Sequence, residues 1–185
     1  MRPGGRALKI VKDLMVPLNE YTRVFEDASL FEAMKALERA MLAPGADPAR
    51  PKDRAVLVQG ADGRVLGKLS MWDLLRGLEP RYAMPFETQM LVDEYFTWTH
   101  SMFANLGEKS RSITVRELLR EHGRDELIDE TAPLDLAVHQ LVHGRLQSLL
   151  ATRAGTITGV LRLSDVFRTV SEMIGTEKVR ASPVA

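Results

Sequence analysis

The chain contains no cysteine, which removes disulfides, thiol catalysis and cysteine-held metals together and agrees with a reducing, cytoplasmic setting. It has no excess of either charge: 25 Lys and Arg face 25 Asp and Glu, a net of +0. No global basic field therefore argues for a nucleic-acid partner. Long apolar runs are also missing. Nothing approaches the ~18 residues of a membrane-spanning helix, and Met1-Arg2-Pro3-Gly4-Gly5-Arg6 leads into no signal-peptide core, so no membrane partner is expected. His100 and His122 stand alone, with no serine or cysteine nucleophile in a recognisable setting, and no enzyme is expected.

What the chain does have is an internal repeat. Val11-Lys12-Asp13-Leu14-Met15 returns 104 residues on as Val115-Arg116-Glu117-Leu118-Leu119, and Asp27-Ala28-Ser29-Leu30 lies over Thr131-Ala132-Pro133-Leu134 in the same register. Further on, Gly63 to Asp73 lies over Gly155 to Asp165 with an offset of 92, so the first copy carries about 12 extra residues. Three prolines and no apolar period in Leu42 to Arg54 place that excess in a loop. At 185 residues and 45% hydrophobic content, one compact body of two halves fits better than two independent domains.

Each copy reads as helical turn, short strand, amphipathic helix, strand, tight turn, strand and helix. Leu30, Ala33, Met34, Leu37 and Met41 fall at helical spacing behind Ser29 and Glu32, which have the form of a capping box. The second copy offers Leu134, Ala137, Val138 and Leu141, with Pro133 at the helix start. Ala55-Val56-Leu57-Val58 and Val65 to Leu69 flank Asp62-Gly63 as a hairpin, repeated by Ser148 to Ala151 and Ile157 to Leu161 around Ala154-Gly155. Closing helices are expected at Leu74, Leu75 and Leu78, ending before Pro80, and at Val166, Val170, Met173 and Ile174, ending at Gly175.

In their order, twice over, these residues resemble a tandem pair of cystathionine β-synthase (CBS) domains, often called a Bateman module. The resemblance spans roughly Ile10 to Ile174 and rests on Val11-Lys12-Asp13-Leu14-Met15, the Ser29 to Ala33 helix start and Gly67-Lys68-Leu69-Ser70-Met71-Trp72-Asp73-Leu74. It implies an α/β (α+β) fold of two βαββα repeats packed as a pseudo-twofold disc with two interdomain clefts. Each cleft would be a site for an adenosine compound such as AMP, ADP, ATP or S-adenosylmethionine. The expected organisation is an N-terminal tail (1–9), a first repeat (10–80), an aromatic-rich connecting helical segment (81–112), a second repeat (113–175) and a C-terminal tail (176–185). The tails are too short to fold alone, so any regulated activity is expected on a separate effector protein.

In that family a Ser or Thr and an Asp at the last strand–helix junction hold the ribose hydroxyls, which by position are Ser70 and Asp73. The chemistry suits them, because a carboxylate accepts from both hydroxyls of a diol while a serine hydroxyl donates or accepts beside it. The same Ser-x-x-Asp is also the pattern of an N-terminal helix cap, and the two roles are compatible. The second copy keeps Asp165 but has Arg162 at the Ser70 position. Arg162 either pairs with Asp165, the favoured reading, or reaches a phosphate. One nucleotide site or none is expected rather than two equal ones.

The family's adenine slot corresponds to Arg23-Val24-Phe25 with Ala55-Val56, and to Glu126-Leu127-Ile128 with Ser148-Leu149, though such residues are more often simple core, since apolar strand residues need no ligand to explain them. Phosphates would want Lys68, Arg64, Arg54 or Arg145. His139 and His143 have the i, i+4 spacing of two metal ligands, yet they lie opposite the apolar stripe of their helix without a third ligand, and no metal is expected. Six of the eleven aromatics fall between Tyr82 and Phe103 (Tyr82, Phe86, Tyr95, Phe96, Trp98, Phe103), with Met84, Met90 and Met102 among them. That density suits a helix packed on the fold or a homodimer interface. The expected function is a stand-alone regulatory module that binds an adenosine ligand; the alternative is a ligand-free dimerisation or interaction module.

Overall fold

The structure, a computed structural model, describes residues 9–42, 54–79, 105–119 and 126–180, the last five by backbone alone. They form seven strands and six helices in an α/β arrangement of two sheets. The strands are β1 (Val16–Pro17), β2 (Arg23–Phe25), β3 (Ala55–Gln59), β4 (Val65–Ser70), β5 (Leu127–Asp129), β6 (Ser148–Arg153) and β7 (Thr156–Arg162). The helices are α1 (Leu30–Leu42), α2 (Met71–Leu78), α3 (Leu106–Ser112), α4 (Val115–Leu118), α5 (Leu134–His143) and α6 (Leu163–Arg180), and a 3-10 turn at Val11–Asp13 opens the chain.

The described residues fall into two compact units. One holds residues 22–42, 54–79 and 105–119, the other 9–21 and 126–180. In the first unit the sheet runs β2-β3-β4, with β2 parallel and β4 antiparallel to β3. Ala55, Val56, Leu57 and Val58 are all buried, as the central strand's unbroken apolar run requires. Leu30, Ala33 and Leu37 of α1 pack on Val56, Val58 and Leu69, with Leu74 and Leu78 of α2 and Val115 and Leu118 of α4 closing the core. Burying each such leucine contributes about 1.5–3 kcal/mol. The expected capping box is present: the Ser29 N–H and hydroxyl both donate to Glu32 Oε2 at 2.8 Å, and the Glu32 N–H donates to Ser29 Oγ at 3.2 Å. Those two donors hold the Glu32 carboxyl below its ordinary value.

The second unit repeats this layout with one added strand, in the order β1-β7-β6-β5. Ala154 and Gly155 turn the hairpin with φ of 48° and 78°, the left-handed pair that a two-residue β-turn needs. Gly159 is required by close approach, since a Cβ there would stand 2.8 Å from both Met15 Sδ and the Val16 carbonyl oxygen of β1. Leu134, Ala137 and Leu141 of α5 pack with Leu149, Leu161 and Val166.

Each repeat's opening turn packs with the other repeat's strands, a feature the repeat pattern alone did not announce. Val11 N–H donates to Ala132 O at 3.0 Å and Lys12 N–H to Glu130 O at 2.8 Å; 104 residues on, Val115 N–H donates to Ala28 O at 2.8 Å and Arg116 N–H to Glu26 O at 2.9 Å. The isolated bridges Ile10 to Pro133 and Ser29 to Thr114 obey the same register. A corrected boundary concerns α6, which runs on to Arg180 instead of ending at Gly175. A glycine costs a helix only about 1 kcal/mol against alanine, and it stops one mainly when it takes positive φ, as Gly63 and Gly155 do here. Ile174, expected in the core stripe, is 53% exposed.

Candidate functional site

The first strand–helix junction is built by β4 ending at Ser70 and α2 beginning at Met71. Ser70 has extended backbone (φ −77°, ψ 168°), so its side chain faces the free N–H groups of the first helical turn. Its N–H and hydroxyl donate to Asp73 Oδ2 at 2.9 and 2.6 Å, and the Asp73 N–H donates to Ser70 Oγ at 3.3 Å. Arg76 Nη2 donates to the other carboxylate oxygen, Asp73 Oδ1, at 2.8 Å. The Asp73 side chain is 26% exposed and that of Arg76 39%. Ser70 and Asp73 are therefore a complete capping box whose carboxylate still reaches solvent, beside the positive end of a helix.

The second junction has the same frame and a different inner partner. Arg162 Nε donates to Asp165 Oδ2 at 2.6 Å, and Arg168 Nη2 donates to Asp165 Oδ1 at 3.2 Å. Arg168 stands at the Arg76 position, 92 residues on, so each aspartate has one oxygen on an i+3 arginine and the other on the residue three before it. Here, however, the side chains of Arg162 and Asp165 are only 8% and 6% exposed. The arginine is turned into the junction onto Asp165, the pairing expected from the sequence.

Ala55 is brought to the first junction as the register partner of Ser70, just as Ser148 stands opposite Arg162. Arg54 joins it through its backbone, its carbonyl accepting from Met71 N–H at 3.2 Å. Lys68 lies two residues back along β4, opposite Leu57, and Val24 lies further along β2, opposite Val58. Arg64 is remote: it sits at the other end of β4, paired with Asp62 at 3.6 Å. Arg145 follows α5 with φ 50° and is exposed. His139 and His143 are exposed, with ring centroids 4.1 Å apart, and among the described residues no group of three or more His, Asp or Glu is placed to hold a metal. The Tyr82–Phe103 aromatic segment lies outside the described residues.

The i+3 arginines and a buried carboxylate escaped the sequence reading. Glu130, 3% exposed, takes Arg153 Nε at 2.6 Å and the Thr158 hydroxyl at 2.9 Å, with Lys12 Nζ at 3.7 Å. The Arg153 hydrogen bond is the main cause that holds its carboxyl below the ordinary value, against the opposing effect of burial. At the matching place Glu26 pairs with Arg116 at 3.0 Å. The signal was present as Glu26 over Glu130 and Lys12 over Arg116 at the common offset of 104. Opposite charges retained in both copies mark a contact between them.

Two βαββα repeats, each ending in a strand–helix junction that carries an aspartate, define a tandem α/β fold. Residues 11–80 match the family model of the CBS domain, and the chain shares its fold with solved CBS-domain proteins. A CBS-domain containing protein from Agrobacterium tumefaciens, ATU1752, is 20% identical with a TM-score of 0.59, covering 92% of this chain and 98% of that one. CBSX2, solved in complex with AMP, is 16% identical with a TM-score of 0.58, covering 89% and 97%. The CBS domain of a bacterial CNNM/CorC family Mg2+ transporter, solved in complex with ATP, is 14% identical with a TM-score of 0.58, covering 88% and 87%. At these identities the likeness establishes the fold. No curated protein matches the sequence. No helix among the described residues is long and apolar enough to cross a membrane.

Proposed function

We propose that the chain is a non-catalytic regulatory module that binds an adenosine compound at the first junction and acts on a separate effector protein. The observation that carries this reading is the Ser70–Asp73 pair, fixed by the helix cap with its carboxylate part-exposed. A ribose diol presents two hydroxyl donors, and a carboxylate beside a helix N-terminus accepts both. The AMP and ATP bound by two of the similar structures support an adenine nucleotide as the ligand class; S-adenosylmethionine shares the diol. Ala55, the register partner of Ser70, is the apolar residue proposed to meet such a ligand, with Val24 further along the sheet opposite Val58, and Lys68 and Arg54 are the nearby cations proposed for its phosphates. The cysteine-free composition suits work in the cytoplasm.

The test is a thermal-shift screen of the full chain against AMP, ADP, ATP and S-adenosylmethionine, with guanosine nucleotides as controls. A ligand at 100 times its Kd stabilises by about 2.7 kcal/mol, or roughly 5–10 °C for a chain of this size. Asp73→Ala should abolish the shift while the protein stays folded. A second reading, ligand-free self-association as a homodimer or partner docking, is favoured by the exposure of Trp72 at 78% and Phe167 at 70% on the two closing helices. It would be preferred if no adenosine compound shifts the melt and sedimentation reports a dimer that Trp72→Glu weakens.

A further inference from the structure

We infer that the second repeat is self-occupied: the Arg162 guanidinium fills the place at Asp165 that a ribose would take, so the chain binds one nucleotide, at Asp73, and only the first repeat responds to it. The inference rests on the adenosine reading of the first junction and specifies its stoichiometry and its asymmetry.

The two junctions differ at one chemically decisive position. At Asp73 the inner oxygen is held by the Ser70 hydroxyl at 2.6 Å, a neutral group that can turn to donate to or accept from a sugar hydroxyl without leaving the cap. At Asp165 the same oxygen is held by Arg162 Nε at 2.6 Å, a planar cation that only donates. A diol is likewise a pair of donors, and it would have to displace a charge-assisted bond to reach this carboxylate. Displacement would also strand a buried charge, because the Arg162 and Asp165 side chains are 8% and 6% exposed. Arg168 takes the outer oxygen at 3.2 Å and makes the arrangement a triad. At the first junction, by contrast, the outer partner Arg76 is 39% exposed and can swing into solvent at little cost. Mass action then favours ligand at Asp73 and a permanent internal substitute at Asp165.

Isothermal titration of the full chain with AMP tests this, with Arg162→Ser as the opening variant. The expected results are one AMP per wild-type chain, none for Asp73→Asn, two for Arg162→Ser and one for the double variant Asp73→Asn with Arg162→Ser. Two AMP per wild-type chain, or one that survives Asp73→Asn, would overturn the inference while leaving adenosine binding intact. So would a folded Arg162→Ser protein that still binds one. If the wild type binds none but Arg162→Ser binds one, the first-junction reading fails and the self-occupied second junction stands; no binding by either removes both. Should Arg162→Ser fail to fold, hydrogen exchange on the wild type decides. AMP should raise protection over residues 71–78 and leave 163–170 unchanged, and equal protection at both refutes the asymmetry.

Discussion

The junctions at Ser70–Arg76 and Arg162–Arg168 are two solutions of one structural problem. Both end a strand and place a carboxylate at the positive end of a helix. The first has a serine that accepts from a first-turn N–H and stays part-exposed; the second has an arginine, which only donates, paired with the carboxylate and buried with it. The serine leaves the Asp73 carboxylate within reach of solvent and, under the proposed function, of a ligand. The arginine pairs with Asp165 away from solvent and makes that junction part of the core. On that proposal a single side chain, serine or arginine, separates a responsive half from a constitutive one.

Removing the carboxylates should expose this difference first. Asp165→Ala leaves Arg162 buried with its main partner gone, and it should destabilise by about 3–5 kcal/mol in urea unfolding. Asp73→Ala loses only one arm of a cap and a part-exposed ion pair, so about 1 kcal/mol is expected. Equal losses would mean that the two junctions do the same structural work.

The second unit should also respond to acid through Glu130. Arg153 and Thr158 hold the Glu130 carboxyl below its ordinary value of 4.5, so its contribution is fully present above that value and is lost as pH falls through the lowered one. Glu130→Gln should therefore flatten the acid limb of stability below about pH 4.5, measured by urea midpoints across pH 3–7. An unchanged limb would remove Glu130 from the set of groups that resist acid. The smallest expected effect comes from replacing the second junction's pair outright. Arg162→Met combined with Asp165→Leu should be near neutral in stability, since well-packed apolar groups substitute for buried ion pairs without loss. A cost of several kcal/mol would mean that the charges carry more than their own desolvation.

Most of the fold was legible because the repeat supplied each element twice. The capping box at Ser29 and Glu32, the hairpin turns at Gly63 and Gly155 and the stripes of α1 and α5 all follow from local chemistry that a single sequence displays. The pairing of Arg162 with Asp165 was legible for the same reason, as an i, i+3 opposite-charge pair on a helix start. The exchange of opening turns was not, because Val11 to Ala132 and Val115 to Ala28 are long-range hydrogen bonds between backbone groups that every residue type offers. Arg76 and Arg168 went unread because arginine on an exposed helical turn is ordinary, and only the shared offset gives it meaning. The run of α6 past Gly175 shows the limit of glycine as punctuation: without positive φ it is merely a weak helix former.

The most direct measurement is a calorimetric comparison of AMP with 2′,3′-dideoxy-AMP on the wild-type chain. If Asp73 grips a ribose diol, AMP binds one per chain and the dideoxy compound, which lacks both hydroxyls, binds at least tenfold more weakly. Equal affinity for the two would contradict the diol site, and Ser70 and Asp73 would then be a helix cap alone.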